Sequence, residues 1–459
     1  MTDQFSGRGT PDRSLDAEGE DALRRVETAL AGRWPESRLE PSLDRIRALT
    51  ALMDDPQGSF AGIHVTGTNG KTSTARMVDV LLRTLNLRTG RYTSPHVESV
   101  VERICVDGDP LSAQHFADVY DEVAPYCALV DAGQPVPLSY FEVLTGMAYA
   151  AFADAPVDVA VVEVGMGGAW DATNVMDGQV AVVTPIALDH ADYLGEDVAA
   201  VAGEKSGIIK PGAFVVMAQQ PVDAAAEMLR RSAEVEATVA REGFEFGVVS
   251  REVAVDGQLV SLRGLTREYP DVFLPLHGAH QAHNAAVALA TVEAFAGRAQ
   301  TELDLELVRQ AFAGVASPGR LEVVRTSPTI LLDAAHNPAS AQALADAVSE
   351  SFAFSRLVGV VGVLADKDAR TLLEALEPVL AEVVATQSTS ARALPAEELG
   401  ELAEEIFGAD RVTVVPRMDD ALDAGVAAAE SEGELTGAGV LVTGSITTVG
   451  DARRLLGRG

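Results

Sequence analysis

Short, almost wholly apolar runs recur along this chain and restrict its fold more than any other feature. In the first half they are "VDVAVVEVGMGG" (157–168), "QVAVVTPIALDH" (179–190) and "FVVMAQQ" (214–220). Apolar runs of this length, separated by helical segments, are typical of parallel strands that are buried on both faces of a sheet. The pattern predicts an α/β fold with helices on both sides of the sheet.

The pattern restarts near the C-terminus. Five more strand segments follow residue 320, namely "TILLDAAHNP", "RLVGVVGVLADKD", "AEVVATQS", "RVTVVP" and "GAGVLVTGSI". They predict a second, doubly wound domain of ordinary size. The segment "AGVASPGR" (313–320) is a linker candidate, and alternation over 240–275 predicts antiparallel strands. We therefore predict a disordered tail over 1–20, a first domain over 21–316 and a second over 317–459.

The turn "GTNGKTS" (67–73) lies between a predicted strand and a long predicted helix. In that context backbone N–H groups at the helix start point at anionic oxygens, and glycines let the backbone approach closely. Lys71 is placed to reach outer phosphates and the Thr72 hydroxyl to bind magnesium. A strict phosphate-loop pattern would require glycine where this chain has Val65. A simple strand–helix turn is the alternative, and we favour nucleotide binding.

Polar residues follow three predicted strands. Ser94 and His96 flank Pro95, Glu163 lies inside an apolar run, and Asp189 and His190 end the next run. A carboxylate in an apolar strand is costly unless it is paired or binds a cation, so Glu163 is a magnesium candidate. A structural pairing of Glu163 with an arginine is the alternative.

Lysine is scarce in this sequence. There are 31 Arg and only four Lys: Lys71, Lys205, Lys210 and Lys367. A lysine that persists against such a bias is a candidate for chemistry that arginine cannot perform.

The charge balance limits the partners. The formal net charge is -33, and an acidic surface repels nucleic-acid phosphates and anionic lipid, so we expect neither partner. The two cysteines, Cys105 and Cys127, argue against a disulfide scaffold and favour the cytoplasm. No segment has the length of a membrane span, and the polar start of the chain predicts no secretory signal.

Nine motifs together resemble the folylpolyglutamate synthase family of the Mur ligase group, and in particular its bacterial branch that also acts as dihydrofolate synthase. They are GTNGKT, YTSPH, VEVGMGG with DATN, IALDH, GEKSGIIKPG, HQxxNAAxAL, PGR, DAAHNP and TGS. The resemblance implies an N-terminal phosphate-loop ATPase domain of the Mur central type and a C-terminal Rossmann-like domain. It also implies that ATP phosphorylates a folate or pteroate carboxylate and that the amine of L-glutamate then displaces phosphate.

The resemblance also implies roles for individual residues. Lys205 resembles a lysine that becomes carbamylated, and a carbamate would present oxygen and negative charge to magnesium. Arg320, at the linker, would carry charge to the reacting phosphoryl group when the domains close. The other implied roles are ATP binding by Thr68, Asn69, Gly70, Lys71, Thr72, Ser73, Asn284, Arg320 and Asp333; magnesium binding by Thr72, Ser94, Glu163 and His190; and glutamate binding by His336 and Ser445.

Two segments resemble the family's pteroate contacts. In the first, Phe141 would stack on the pterin ring and Glu142 would accept its N–H groups, although the same segment also predicts an ordinary amphipathic helix. The full set is Ser139, Tyr140, Phe141, Glu142, Trp170, Asp171 and Ala172. The chain departs from the family at Ala169, where arginine is common, and at Thr72, where folate enzymes often have glycine.

Two other functions remain open from the sequence. A Mur-type peptidoglycan precursor ligase would usually have a nucleotide-sugar domain before the phosphate loop, and we expect none in the 66 residues here. A protein that binds ATP only as a switch would not need Glu163, His190 and Lys205 together. The resemblance further suggests a monomer, and it leaves the role of Lys367 open.

Overall fold

The computed structural model describes residues 13–35, 40–189, 191–297, 300–431 and 437–457. His190, a predicted magnesium ligand, lies outside the described residues, as do residues 1–12. Two α/β parts follow one another along the chain, and the α/β fold class is confirmed.

The first part is built on an eight-stranded sheet in the order β4-β3-β2-β5-β1-β6-β7-β8, in which β3 and β4 run antiparallel to their neighbours. Its elements, in chain order, are α1 (Arg13–Ala31), α2 (Asp44–Leu52), β1 (Ala61–Thr66), α3 (Lys71–Thr84), β2 (Thr89–Tyr92), β3 (Ile104–Val106), β4 (Asp109–Pro110), α4 (Ala113–Gly133), α5 (Tyr140–Asp154), β5 (Val159–Glu163), β6 (Gly178–Val183), α6 (Ala191–Leu194), α7 (Val198–Lys205), β7 (Phe214–Met217), α8 (Val222–Glu234) and β8 (Thr238–Arg241).

Alternate residues of the central strands pack on opposite faces. Val159 and Val161 pack in the core beneath α3, whereas Ala160 and Val162 pack in the core beneath α4 and α5. A strand that is buried on both faces has no polar side, which explains the continuous apolar runs in the sequence.

A three-stranded antiparallel sheet follows, in the order β11-β10-β9, and confirms the change of pattern predicted over 240–275. The helix that follows this sheet, α9 (Ala279–Gly297), packs against α3 in the core that also contains Val159 and Val161. These elements are β9 (Gly247–Ala254), β10 (Gly257–Arg263), β11 (Glu268–Leu274), α9 (Ala279–Gly297) and α10 (Leu305–Ala313).

The second part has a six-stranded sheet in the order β12-β13-β17-β14-β15-β16, of which only β12 is antiparallel to its neighbour. All five predicted strands are present, and β12 was not predicted. The elements are β12 (Glu322–Thr326), β13 (Thr329–Leu332), α11 (Pro338–Ser351), β14 (Arg356–Val361), α12 (Ala369–Leu376), β15 (Glu382–Ala385), α13 (Ala396–Phe407), β16 (Val412–Val414), α14 (Met418–Glu430), β17 (Ala438–Thr443) and α15 (Ile446–Leu455).

Two boundaries differ from the sequence predictions. The helix α1 begins at Arg13, so a tail over 1–20 is too long, because the apolar stripe of Leu23, Val26 and Leu30 buries this helix in the core. The strand β6 ends at Val183, well before Asp189, because Pro185 cannot donate to a strand ladder. The predicted linker over 313–320 lies between α10 and β12.

Candidate active site

A cavity of about 390 Å³ lies between the two parts of the chain. The first part contributes residues 67–73 and the carboxyl ends of neighbouring strands, and the second contributes Arg320, Asp333 and His336. In open parallel sheets, ligands bind outside the carboxyl ends of the strands, and this cavity lies at that edge of both sheets.

The phosphate loop begins at Gly67, directly after β1. Gly67 and Gly70 have φ of 142° and 87°, values that favour glycine. A Cβ atom at Gly67 would lie 2.0 Å from Thr184 Oγ1, and one at Gly70 would lie 2.6 Å from Asn284 Oδ1. The loop therefore needs both glycines, for conformation and for space, and α3 starts with its N–H groups facing the cavity.

Lys71 is held inside this loop. Its Nζ donates to the carbonyl oxygens of Gly67 and Thr68, both at 3.1 Å. Burial lowers the pKa of Lys71, and the nearby carboxylates of Glu163 and Asp189 oppose that shift. The amine is positioned to contact the outer phosphates of a nucleotide bound at this loop.

Glu163 ends β5 beside the loop, in register with Val65 of β1. It is buried, and the Thr72 hydroxyl lies 3.0 Å from both of its carboxylate oxygens. The backbone N–H of Ser94 donates to the same carboxylate at 3.3 Å. Burial raises the pKa of Glu163, which is the behaviour of a carboxylate that lacks a full cationic partner.

Lys205, the last residue of α7, approaches the same loop from the other side. Its side chain is buried, and Nζ donates to the carbonyl of Gly67 at 2.9 Å. Burial lowers the pKa of Lys205 to about 7, and the neighbouring Lys71 lowers it further. Near neutral pH a large share of this amine is therefore uncharged and nucleophilic.

The second part supplies Asp333, just after β13, whose carboxylate accepts the N–H groups of Leu321 and Ala335 at 2.8 Å each. These bonds tie the carboxylate to the segment that carries Arg320. Burial raises the pKa of Asp333. Arg320 thus projects into the cavity from a backbone that Asp333 fixes.

His336 has a defined tautomer. Its Nδ1 lies 2.9 Å from the carbonyl of Ala334, and because a carbonyl only accepts, Nδ1 holds the proton. Burial lowers the pKa of His336 to about 4, so the ring is neutral at pH 7 and Nε2 is an acceptor. Nε2 lies 4.0 Å from Asp189 Oδ2.

Further polar contacts between described residues join the two parts at or beside the cavity. The side-chain amides of Asn69 and Asn337 exchange hydrogen bonds of 3.0 and 3.4 Å, and Lys367 Nζ lies 2.8 Å from Asp189 Oδ1. The Ser73 and Ser317 hydroxyls are 3.1 Å apart. The structure therefore places Lys367, whose role the sequence left open, in an ion pair with the residue before His190.

Most residues predicted to bind pteroate or glutamate do not line this cavity. Ser139 and Glu142 form a capping box at the start of α5, and Glu142 also bonds Arg45 Nε at 3.0 and 3.2 Å. Phe141 is closer, since its ring lies directly against Gly165 of the cavity lining. The others also lie outside the lining, namely Tyr140, Trp170, Asp171, Ala172 and Ser445, and Ser445 caps α15.

Sequence reasoning missed the far end of the cavity. Glu242 accepts from the N–H of Gln219 at 3.0 Å and lies 2.5 Å from His283 Nδ1, and this bond raises the pKa of His283. Gln219, Glu242 and His283 all line the cavity. The two histidines of "HQAHNAA" were a usable signal, because they lie about one helical turn apart and directly precede the predicted ATP contact Asn284.

Comparisons with known proteins show the family of the chain. Residues 65–292 match the Mur ligase middle domain, and residues 319–446 match the Mur ligase glutamate ligase domain. A dihydrofolate synthase/folylpolyglutamate synthase of Mycobacterium tuberculosis is 51% identical, over 95% of this chain and 94% of that protein. This chain belongs to that family of Mur ligases.

Solved structures of family members have the same fold as this chain. The M. tuberculosis folylpolyglutamate synthase complexed with ADP has a TM-score of 0.92 at 50% identity and covers 96% of this chain and 99% of that one. The E. coli FolC structure in complex with DHPP and ADP has a TM-score of 0.80 at 28% identity, covering 95% and 98%. This folylpolyglutamate synthase relative is therefore an ATP-binding ligase with the predicted two-domain fold. None of the described helices is both long and apolar enough to span a bilayer.

Proposed function

We propose that this chain ligates L-glutamate both to dihydropteroate and to folates, with ATP as the energy source, and that the cavity between its two parts is the active site. The observation that carries this proposal is the convergence of Lys71, Glu163 and Lys205 on one phosphate loop, with Arg320 and His336 facing them from the other part. A nucleotide switch without ligase chemistry has no use for this second set of side chains.

In the first step, a carboxylate oxygen of the acceptor attacks the γ-phosphorus of ATP, and the bond to the β-phosphate oxygen breaks to release ADP. Lys71 and Arg320 would offset the charge on the transferred phosphoryl group. Arg320 belongs to the second part of the chain, so the step would require both parts in place. Asn69 and Asn337 support this coupling, because their paired amides link the phosphate loop to the start of α11.

The residues beside the loop fit a magnesium ion. Glu163 is a buried carboxylate whose nearest donors are a hydroxyl and a backbone N–H, and oxygen ligands are those magnesium prefers. No group of three His, Cys, Asp or Glu residues with metal-site geometry occurs in the described ranges, so hydroxyls would complete the set. Thr72, Ser94, Glu163 and, by the family resemblance, His190 would hold the ion. When bound, it supplies positive charge to the β- and γ-phosphates.

Lys205 would act as a carbamate. Its Nζ attacks the carbon of CO₂ and loses a proton, which leaves an N-carboxylate in place of the amine. The pKa of about 7 supports this reaction, since only the neutral amine is nucleophilic. The product would replace a buried cation near Lys71 with an anion, which removes a like-charge repulsion.

In the second step, the amine of L-glutamate attacks the acyl carbon and phosphate leaves with the former carboxylate oxygen. The neutral His336, with Nε2 as an acceptor, would orient the amine through one of its N–H groups. Ser445 would act on glutamate only through the loop it supports, since Gly444 donates to the carbonyl of Ala335 at 3.2 Å.

The acceptor's ring system would lie on the β5 side of the cavity. Phe141, packed against Gly165, would form the wall there. Tyr140, Trp170 and Ala172, which lie outside the cavity lining, would contact the acceptor only beyond the cavity. Ser139, Glu142 and Asp171 would hold this wall in place, because their oxygens already accept bonds from Arg45 or from backbone N–H groups. The domain boundary at residues 316 and 317, a monomeric state and a cytoplasmic location complete the proposal.

The test is phosphate release with ATP, magnesium and L-glutamate, with dihydropteroate or tetrahydrofolate as acceptor. Turnover with both acceptors supports the proposal, and turnover with one alone restricts it to that activity. The runner-up is a Mur-type peptidoglycan ligase. Tight calorimetric binding of a UDP-muramoyl peptide, with no turnover of either folate acceptor, would favour that alternative.

A further inference from the structure

Arg76 is a cation that has no anionic partner among the described residues. It lies on α3, one helical turn after Thr72, and is half-buried. Among the described residues it forms no hydrogen bond or ion pair. Burial lowers the pKa of Arg76 to about 10, so the guanidinium is still charged at neutral pH. A half-buried guanidinium that no acid contacts is available to bind an anionic group of a ligand.

The surrounding cations do have partners. Arg91 contacts Cys105 Sγ at 2.9 Å, and Arg103 Nε donates to His96 Nδ1 at 3.0 Å. The chain has 68 acidic residues against 35 Lys and Arg, so carboxylates are plentiful. Leaving Arg76 without one is therefore unexpected in a purely structural role.

Glu102, the acid whose charge acts on Arg76, does not pair with it by contact. Glu102 accepts the backbone N–H groups of Val97, Glu98 and Ser99 at 2.8–2.9 Å, so its oxygens hold the loop after Pro95. Its negative charge raises the pKa of Arg76 only from a distance.

A small recess lies in front of Arg76, and Thr72, His96, Ser317 and Arg320 also line it. Its volume is about 10 Å³, which suits one oxygen-sized group. Thr72, Pro95 and Arg320 line both this recess and the large cavity. The recess therefore adjoins the place where the acceptor carboxylate must meet the γ-phosphate.

The two acceptors differ in one relevant group. Dihydropteroate ends in a benzoate and has a single carboxylate, which is the one that reacts. A folate ends in a glutamyl residue with two carboxylates, so one reacts and the other stays as a spectator a few bonds away.

We propose that Arg76 binds the spectator carboxylate of a glutamyl acceptor, with one carboxylate oxygen in the recess beside Arg320, and so determines specificity for folates over dihydropteroate. The inference rests on the proposed function of the same cavity. It assigns Arg76 to substrate binding and leaves the phosphoryl transfer to Lys71 and Arg320.

The test compares Arg76→Gln with the wild type on both acceptors, and Arg230→Gln on the exposed helix α8 is the matched control. We expect the KM for tetrahydrofolate to rise about 10- to 100-fold, the loss typical of a hydrogen bond to a charged group. The KM values for dihydropteroate and ATP should change less than about two-fold, and Arg76→Lys should recover part of the loss. Equal effects on both acceptors, or no effect, would overturn the proposal.

A substrate change tests the same contact without a protein variant. A tetrahydrofolate whose spectator carboxylate is a carboxamide should show a similar rise in KM with the wild type and no further rise with Arg76→Gln. A carboxamide that performs as well as the natural acceptor contradicts the proposal, even if Arg76→Gln does not fold or dihydropteroate is not used. Wild-type enzyme that turns over neither acceptor would instead contradict the proposed function.

Discussion

Replacing Lys205 by methionine should raise stability and abolish activity in the same protein. Methionine matches the length of the lysine stem and needs no hydrogen bond. Burial lowers the pKa of Lys205 from 10.5 to about 7, and each ten-fold change in a protonation equilibrium corresponds to about 1.4 kcal/mol. Burial of the Lys205 amine therefore lowers the free energy of unfolding at pH 7 by up to about 5 kcal/mol.

The sign follows from proton binding. Between pH 10.5 and 7 the unfolded chain holds a proton on this lysine that the folded chain lacks, so stability falls as the pH falls through that window. Lys205→Met removes this dependence. Allowing about 1 kcal/mol for the lost bond to Gly67, we expect a gain of about 2–4 kcal/mol at pH 7 that vanishes by about pH 10.

The assay is urea unfolding at several pH values in buffer free of CO₂ and bicarbonate, with ligation and ATP binding measured in parallel. Lys210→Met is the matched control, because Lys210 belongs to the same motif and donates to the Asn174 carbonyl at 3.0 Å. Lys205→Met should bind ATP and lose at least about 10³-fold in ligation, as for loss of a preorganised electrostatic group. Lower stability at pH 7, or retained ligation, would refute the reasoning.

Three further predictions concern the metal site and the walls of the cavity. A chelator should abolish phosphate release and added magnesium should restore it; activity that survives chelation argues against the metal assignment. Thr72→Val removes the hydroxyl beside Glu163, so half-maximal activity should need at least about ten-fold more magnesium, as for the loss of one charge-assisted hydrogen bond; an unchanged magnesium titration would count against this ligand. Glu142→Gln should lower the free energy of unfolding by about 1–3 kcal/mol, because the buried Arg45 loses its carboxylate; an unchanged Tm with a raised KM for dihydropteroate would show direct substrate contact instead.

The sequence predicted the sheets and the phosphate loop well, because both depend on short-range patterns. Continuous apolar runs report strands buried on two faces, and "GTNGKTS" reports a tight turn before a helix. The burial of Glu163 beside that loop was predictable for the same reason, since the residue lies inside an apolar run, and its role as a magnesium ligand stays a prediction.

Contacts between the two parts could not be predicted. The ion pair of Asp189 and Lys367 joins residues 178 positions apart, and it depends on how the two parts pack. Arg76 was missed because α3 shows an ordinary amphipathic pattern, and only the structure shows that none of the described residues pairs with its guanidinium. Glu142 was predicted as a pterin ligand, but a Ser139–Glu142 spacing of three residues is also a capping box, and the structure has that geometry.

The central claim is that the acceptor carboxylate is phosphorylated before glutamate attacks. It is tested most directly by labelling the reacting carboxylate of the acceptor with ¹⁸O and analysing the released phosphate by mass spectrometry. The proposed mechanism predicts one ¹⁸O atom in the phosphate for each amide bond formed, because the carboxylate oxygen leaves with phosphorus. Glutamate-dependent amide formation that releases unlabelled phosphate would contradict it.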